Sequence, residues 1–292
     1  MKAMLRRMVR HGPAAYLVDI GDAYLRYRKH VGRWPNLWRP TTFQEWVQRR
    51  KLFDRRPEFA IFADKVAVRD YVAQRVGAEV LPELLDVYAR AEQYDPSHLP
   101  RSYVLKAAAG TAMTEVVADR DRADHAALRR RMKVWLRTNL YDITREAPYR
   151  AVRQRVLAEE NVSSADGTPP IDYKFFCFNG RPVMIHLFVG RGTAEYMRSW
   201  YSCDWQFLNI VPRGRLTRPI ERPPHLAEMI AVAERLSAGF DFLRVDLYDI
   251  PRGPLFGELT FHPGNGVSPL TNEEWRVRLG TMWAEARRQL RS

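Results

Sequence analysis

Residues 240–266 read FDFLRVDLYDIPRGPLFGELTFHPGNG. Apolar and polar residues alternate on both sides of Pro251-Arg252-Gly253, which predicts two strands joined by a tight turn. With a period of two, Leu243, Val245 and Leu247 share one face, and Arg244, Asp246 and Tyr248 the other. On the return strand Phe256, Glu258, Thr260 and His262 fall on a common face. A hairpin centred on Arg252 sets Asp246 opposite Glu258 and Arg244 opposite Thr260. Opposed side chains in an antiparallel pair have Cβ atoms roughly 5 Å apart. Two carboxylates that close repel unless positive charge lies between them. Mg²⁺ resolves this, because it takes one or two carboxylates and completes its shell with phosphate and water. Arg244 adds a planar donor fork suited to phosphate or carboxylate. The same spacing suits an ordinary hairpin with an Asp–Arg–Glu cluster on a solvated face. The HPGNG that follows, with backbone amides able to hold an anion, favours a site.

Composition sets the outer limits. The 292 residues suffice for one large domain or two to three small ones, and 46% hydrophobic residues support a core. Two cysteines, Cys177 and Cys203, without a C-x-x-C, are too few for a disulfide framework or a zinc cage. They point to a reducing, cytoplasmic setting, with Cys177 in the core. No apolar run reaches the length of a signal-peptide core or of a spanning helix. The net charge is +13, and residues 1–58 hold 14 Lys and Arg against 5 Asp and Glu. For the chain as a whole, solvated faces of an arginine-rich composition account for the excess. A peripheral contact with a polyanion or the inner face of a membrane is expected only from residues 1–58. No nucleic-acid partner is expected.

Along the chain, Met4, Leu5 and Met8, then Leu17, Ile20, Tyr24 and Leu25, recur at helical spacing. Gly12-Pro13 divides them into two short helices that pack on the body or form a homodimer face. Thr42 with Glu45 forms a capping box that opens a helix to about residue 54. Residues 59–76 read as one amphipathic helix ended by Gly77. At 103–112, YVLKAAAGTA, a short apolar strand delivers Lys106 to a small-residue turn at Gly110. A lysine on a buried strand is costly unless paired, so this one contacts phosphate or snorkels to water. Asp119-Arg120-Asp121 has the D-x-D form by which glycosyltransferases hold a metal–nucleotide sugar. It reads more simply as a charged turn before a helix at 122–138. Residues 153–161 form a strand ending in Glu159-Glu160. IDYKFFCF at 171–178 alternates and carries a second strand lysine, Lys174; Asn179-Gly180 then turns a hairpin. Helices follow at 224–238 and 272–291. Walker A, H-E-x-x-H and G-x-S-x-G motifs are absent. A nucleotide reading rests on two strand lysines, a small-residue loop and a carboxylate pair.

That combination resembles the ATP-grasp superfamily. Its wording is similar to the teichuronopeptide-biosynthesis (TupA-like) branch, in FADKVAVRDYV at 62–72, LPRSYVLKAAAG at 99–110, DYKFFCFNGRP at 172–182, and RVDLY with FGELTFHPGNG at 244–248 and 256–266. The resemblance implies an α+β fold with ATP held between two subdomains. The division would be a basic helical extension (1–58), an N-terminal part (59–100), a nucleotide lid (101–162) and a C-terminal subdomain with the metal site (163–292). Lys106, Gly110, Glu159, Glu160 and Lys174 would surround ATP. Asp246, Glu258, Thr260 and Asn265 would hold Mg²⁺, and Arg244 and Lys174 would be catalytic. Arg191, His262, Gly264 and Asn265 would meet substrate, near Arg198 and Trp200. The implied activity is an ATP-dependent carboxylate–amine ligase in cell-surface polymer or specialised-metabolite biosynthesis. The loop after Lys106 departs from the family's Pro-Asn-His-Gly-Ser-Gly-like sequence, and Thr260 stands where many members have Asn. The competing readings are a glycosyltransferase or phosphotransferase working through Asp119 and Asp121, a nucleotide binder without turnover, and a polyanion-binding module.

Overall fold

The structure, a computed structural model, describes residues 10, 12–164, 166–194, 196–208, 210, 219–268 and 272–291. The expected first helix, around Met4, Leu5 and Met8, lies outside them. Helix α1 (Gly12–Val31) has Pro13 in its first turn, where the missing N–H costs nothing. Helix α2 (Phe43–Phe53) opens with the expected capping box: Glu45 N donates to Thr42 Oγ1 (3.5 Å) and Thr42 N donates to the Glu45 carboxylate (3.1 Å). Helix α2 is built into the body. Its Phe43 and Val47 share a core with Phe176, Phe178, Phe242, Leu279 and Trp283.

The expected single helix over 59–76 is two, α3 (Glu58–Phe62) and α4 (Val68–Val76). Asp64 breaks it. Its Oδ1 accepts from Val66 N (2.9 Å) and Ala67 N (3.2 Å), a local turn that competes with helix, and its Oδ2 accepts from Arg155 (2.5 Å).

A four-stranded antiparallel sheet follows, in the order β1 (Leu84–Tyr88), β4 (Val156–Glu160), β2 (Tyr103–Ala107), β3 (Thr114–Val117). Tyr88, Tyr103, Leu105, Val156 and Ala158 point to one face and bury Leu128, Met132 and Trp135 of α5 (His125–Arg137). The other face carries Val104, Lys106, Leu157 and Glu159, because 104 pairs with 159 and 106 with 157. Helix α6 (Leu140–Thr144) lies between α5 and β4 in the chain.

The larger sheet has the order β7 (Met197–Tyr201), β6 (Arg181–Val189), β5 (Asp172–Phe178), β8 (Leu243–Ile250), β9 (Gly253–Thr260), all antiparallel. Asn179 and Gly180 both have positive φ (48° and 74°), as the expected two-residue hairpin turn demands. One face, with Tyr173, Phe175, Cys177, Val245 and Leu247, packs on α3, α4 and α7 (Leu226–Ser237). The opposite face is divided along its strands. Phe176, Phe178 and Met184 lie beneath α2 and the terminal helix α8 (Glu273–Gln289), while Asp172, Lys174 and Asp246 occupy the charged half.

The central hairpin reaches the expected pairs by another route. Its turn is two residues, Pro251-Arg252, with Ile250 opposite Gly253. That register alone would set Gly257 opposite Asp246. A bulge after Phe256 inserts Gly257 and brings Glu258 opposite Asp246 and Thr260 opposite Arg244. A Cβ on Gly257 would stand 3.1 Å from the Asp246 carbonyl oxygen, a close approach that favours glycine. The bulge also turns Phe256 over. It lies in the core with Leu247 and Leu259, on the face opposite Glu258, not beside it as a regular strand predicts.

Candidate active site

Register lines up one row of side chains across the larger sheet: Glu258, Asp246, Lys174, His186 and Trp200. Asp246 is 2% exposed. Its Oδ1 accepts from Arg244 Nε (2.6 Å), and its Oδ2 from Arg244 Nη2 (2.7 Å) and Lys174 Nζ (2.6 Å). Burial pushes this carboxyl up, but Arg244 and Lys174 outweigh burial and hold it below the usual range. Arg244 Nη2 also donates to Thr260 Oγ1 (2.8 Å). Asp172, the next charge along β5, lies 3.6 Å from Lys174 and accepts from the exposed Arg191 (3.2 Å). His186 is buried and stacked on Trp200 with ring centroids 3.6 Å apart. Burial first, then Arg198, Lys174 and Arg244, keep its imidazole neutral.

The smaller sheet contributes Lys106, whose Nζ is 2.7 Å from Glu159 Oε2; Arg69 reaches the same carboxylate at 3.3 Å. Glu159 and Glu160, both expected around ATP, do not share one face. Strand alternation sends them to opposite faces, and Glu160 pairs with Arg252 of the β8–β9 turn. Of the small-residue loop, Ala108 and Ala109 are pinned, their N–H groups donating to Arg155 O and to Gln154 Oε1. Thr111 and Ala112 are exposed.

Lys65 is a second link between the two sheets. Lys65 Nζ donates to the Gly110 carbonyl (3.3 Å) and lies 3.6 Å from Glu258 Oε1. Read as mid-helix, Lys65 and Arg69 carried no signal. The Asp64-Lys65 pair, with aspartate as turn former, was the available clue. Together Lys65, Arg69, Lys106, Lys174 and Arg244 surround Glu159, Asp172, Asp246 and Glu258, a surplus of cations suited to a polyphosphate.

The HPGNG loop is engaged from behind. Asn265, expected as a metal ligand, has Oδ1 accepting from Lys51 Nζ (2.7 Å) and Nδ2 donating to Thr144 O (3.0 Å). An ammonium already sits on the oxygen a metal would use. His262, expected at the substrate, is 4% exposed, and its Nδ1 lies 3.0 Å from Glu146 Oε2. Gly264 and Asn265 both adopt left-handed φ (56° and 53°). Asp119, of the D-x-D, pairs with Arg101 (2.8 Å) and accepts from Asp121 N (3.0 Å), the bonding of a structural turn.

The donor set fits Mg²⁺ through Glu258, 39% exposed at its side chain, and through the opposed Asp246 once a cation on its oxygens, Lys174 or Arg244, gives way, as Lys51 would have to at Asn265. Among the described residues no three His, Cys, Asp or Glu side chains converge as a metal cage. Such an ion would share its shell with a bound phosphate.

A family model described as TupA-like ATP-grasp matches residues 45–284. Similar solved structures include the D-alanine–D-alanine ligase of Bacillus anthracis complexed with ATP. It is 14% identical with a TM-score of 0.46, over 79% of this chain and 66% of that one. The D-cycloserine synthetase DcsG is 16% identical with a TM-score of 0.44, over 91% and 81%. A RimK-domain ATP-grasp protein of Sphaerobacter thermophilus is 13% identical with a TM-score of 0.43, over 85% and 70%. This chain thus spans just under two thirds of the length of the first of these. No curated protein matches it.

Proposed function

This chain belongs to the TupA-like ATP-grasp family, and on that premise we propose that it is an ATP-dependent carboxylate–amine ligase. The observation that carries the reading is the Asp246–Glu258 pair on one sheet face, surrounded by Lys174, Arg244 and Lys65. In this reaction a substrate carboxylate oxygen attacks the γ-phosphorus of ATP, the bond to the bridging oxygen breaks, and ADP leaves. An amine then attacks the acyl-phosphate carbonyl carbon, gives up a proton, and expels inorganic phosphate. The product is an amide.

Each residue has a task of position and charge, which is most of what phosphoryl transfer requires. Lys106 and Lys174 bind phosphate oxygens as point charges, each already oriented by a carboxylate. Arg244 is fixed by Asp246 through Nε and Nη2, and its remaining donor, Nη1, would serve the transferring phosphoryl group and the oxyanion of the second step. Mg²⁺, held by Asp246 and Glu258, would supply neutralisation of phosphate charge. Lys65 ties the Gly110 loop to the metal end, so the loop amides beyond the pinned Ala108 and Ala109 would meet the phosphates.

The test is calorimetry with a non-hydrolysable ATP analogue, with and without Mg²⁺, followed by phosphate release over a panel of carboxylate and amine pairs. Magnesium-dependent binding is expected, with turnover that requires the carboxylate and is abolished in Asp246→Asn. No binding at millimolar nucleotide by the wild type overturns the reading. Phosphate release indifferent to any carboxylate reduces it to a nucleotide binder or phosphohydrolase.

A further inference from the structure

A groove of about 420 Å³ lies between the connector at 38–41, helix α2 and helix α8. It shares no lining residue with the cleft. Five arginines line it, Arg39, Arg49, Arg287, Arg288 and Arg291, together with Trp38 and Trp46, and the lining contains no carboxylate. Several surface arginines elsewhere are paired with an acid, as in Arg26–Asp22, Arg101–Asp119 and Arg131–Glu115. Here only Arg287 reaches an acid, Asp241 at 3.5 Å. Among the described residues Arg39, Arg49, Arg288 and Arg291 make no ion pair. Arg49 is depressed by burial first and then by Arg287 and Arg291, so like charges are held together. That crowding is unfavourable until an anion enters.

The aromatic groups add a second requirement. Trp38 is 78% exposed beside the arginines, and Phe53, in ring contact with it, is 43% exposed. Planar apolar faces and guanidinium forks around one concavity match an oxyanion carried on an apolar or ring-bearing body. We propose that this groove is a binding site for a phosphate group, presented by an anionic lipid headgroup or by a soluble phosphate compound. Two of its five arginines, Arg287 and Arg288, come from the C-terminal helix and a third, Arg291, from just beyond its end, so the site is not the basic N-terminus acting alone.

The experiment compares wild type with Arg288→Gln/Arg291→Gln, two exposed positions at and just after the end of α8, and with a triple variant that adds Arg49→Gln. One arm measures co-sedimentation with phosphatidylcholine vesicles with and without phosphatidylglycerol. The other measures inorganic pyrophosphate binding by calorimetry. Binding in either arm that falls roughly thirtyfold in the double variant, with an unchanged melting temperature, supports the site, and the responding arm identifies the source. Absence of wild-type binding in both arms overturns the proposal. So does equal binding by wild type and double variant, which assigns any pyrophosphate affinity to the cleft.

Discussion

Asp246 and Glu258 face each other across two strands, yet their substitution should have different consequences. The Glu258 carboxylate is 39% exposed, and its ion pair is a 3.6 Å contact with Lys65. An exposed pair of that kind is worth about 0–1 kcal/mol. Asp246 is buried and takes three hydrogen bonds from Arg244 and Lys174. Asp246→Asn leaves both cations without a full counter-charge, a change that costs about 3–5 kcal/mol. For a chain of this size each 1 kcal/mol moves the melting temperature by about 2–4 °C. Glu258→Gln should therefore melt within about 4 °C of wild type, and Asp246→Asn about 6 °C or more below it. Both should lose magnesium-dependent nucleotide binding by calorimetry. The reasoning is refuted if Glu258→Gln binds Mg²⁺ and nucleotide as wild type does. It is refuted equally if the two variants melt alike, since buried and exposed carboxylates would then be equivalent.

Four further outcomes follow from particular contacts. Burial lowers Lys51 to about 8, against partial compensation by Glu146 and Asp22. Below that pH the cost of the buried charge is fully present. From there to the ordinary lysine value the unfolded state binds more protons, so this group makes stability rise with pH, a slope that Lys51→Met should remove from melting curves. Burial would raise Asp241, but Arg50 and Arg56, with the Trp283 indole N–H, hold it at about 2. Its contribution is complete above the ordinary aspartate value and is lost as pH falls toward 2, so Asp241→Asn should flatten the acid limb of the stability profile. Gly280 packs so closely on the Thr41 carbonyl that a Cβ overlaps it, and Gly280→Ala should cost about 1–3 kcal/mol by denaturant unfolding. Asp119→Ala should leave nucleotide binding unchanged, whereas loss of binding would return the D-x-D to consideration.

Much of the framework is legible in local pattern. Alternation in 171–178 gives β5 and the faces of Tyr173 and Lys174, the Thr42–Glu45 capping box starts α2, and Asn179-Gly180 turns its hairpin. Long-range partners are harder to read, because composition does not state them. Asn265 reads as an available amide until Lys51, 214 residues earlier, is found on its oxygen. The run at 59–76 has helical periodicity, but Asp64 has a long-range partner in Arg155 that secures the break.

By itself, the sequence determined the pairing of Asp246 with Glu258, since two strands this close in the chain meet with a register set by a short turn. Even so, a two-residue turn with a bulge at Gly257 reaches the same pairs as the three-residue turn the pattern suggested, because one inserted residue offsets one removed from the turn. Tertiary structure decided which charges neutralise that pair. Lys174 comes from a neighbouring strand, and Lys65 from a turn that touches both sheets. It also decided that helices α2 and α8 would cover the apolar half of one sheet face and, with the chain flanking them, bring five arginines to a common groove. Electrostatic and packing partners depend on distances in space, and only the folded chain sets those between residues hundreds of positions apart.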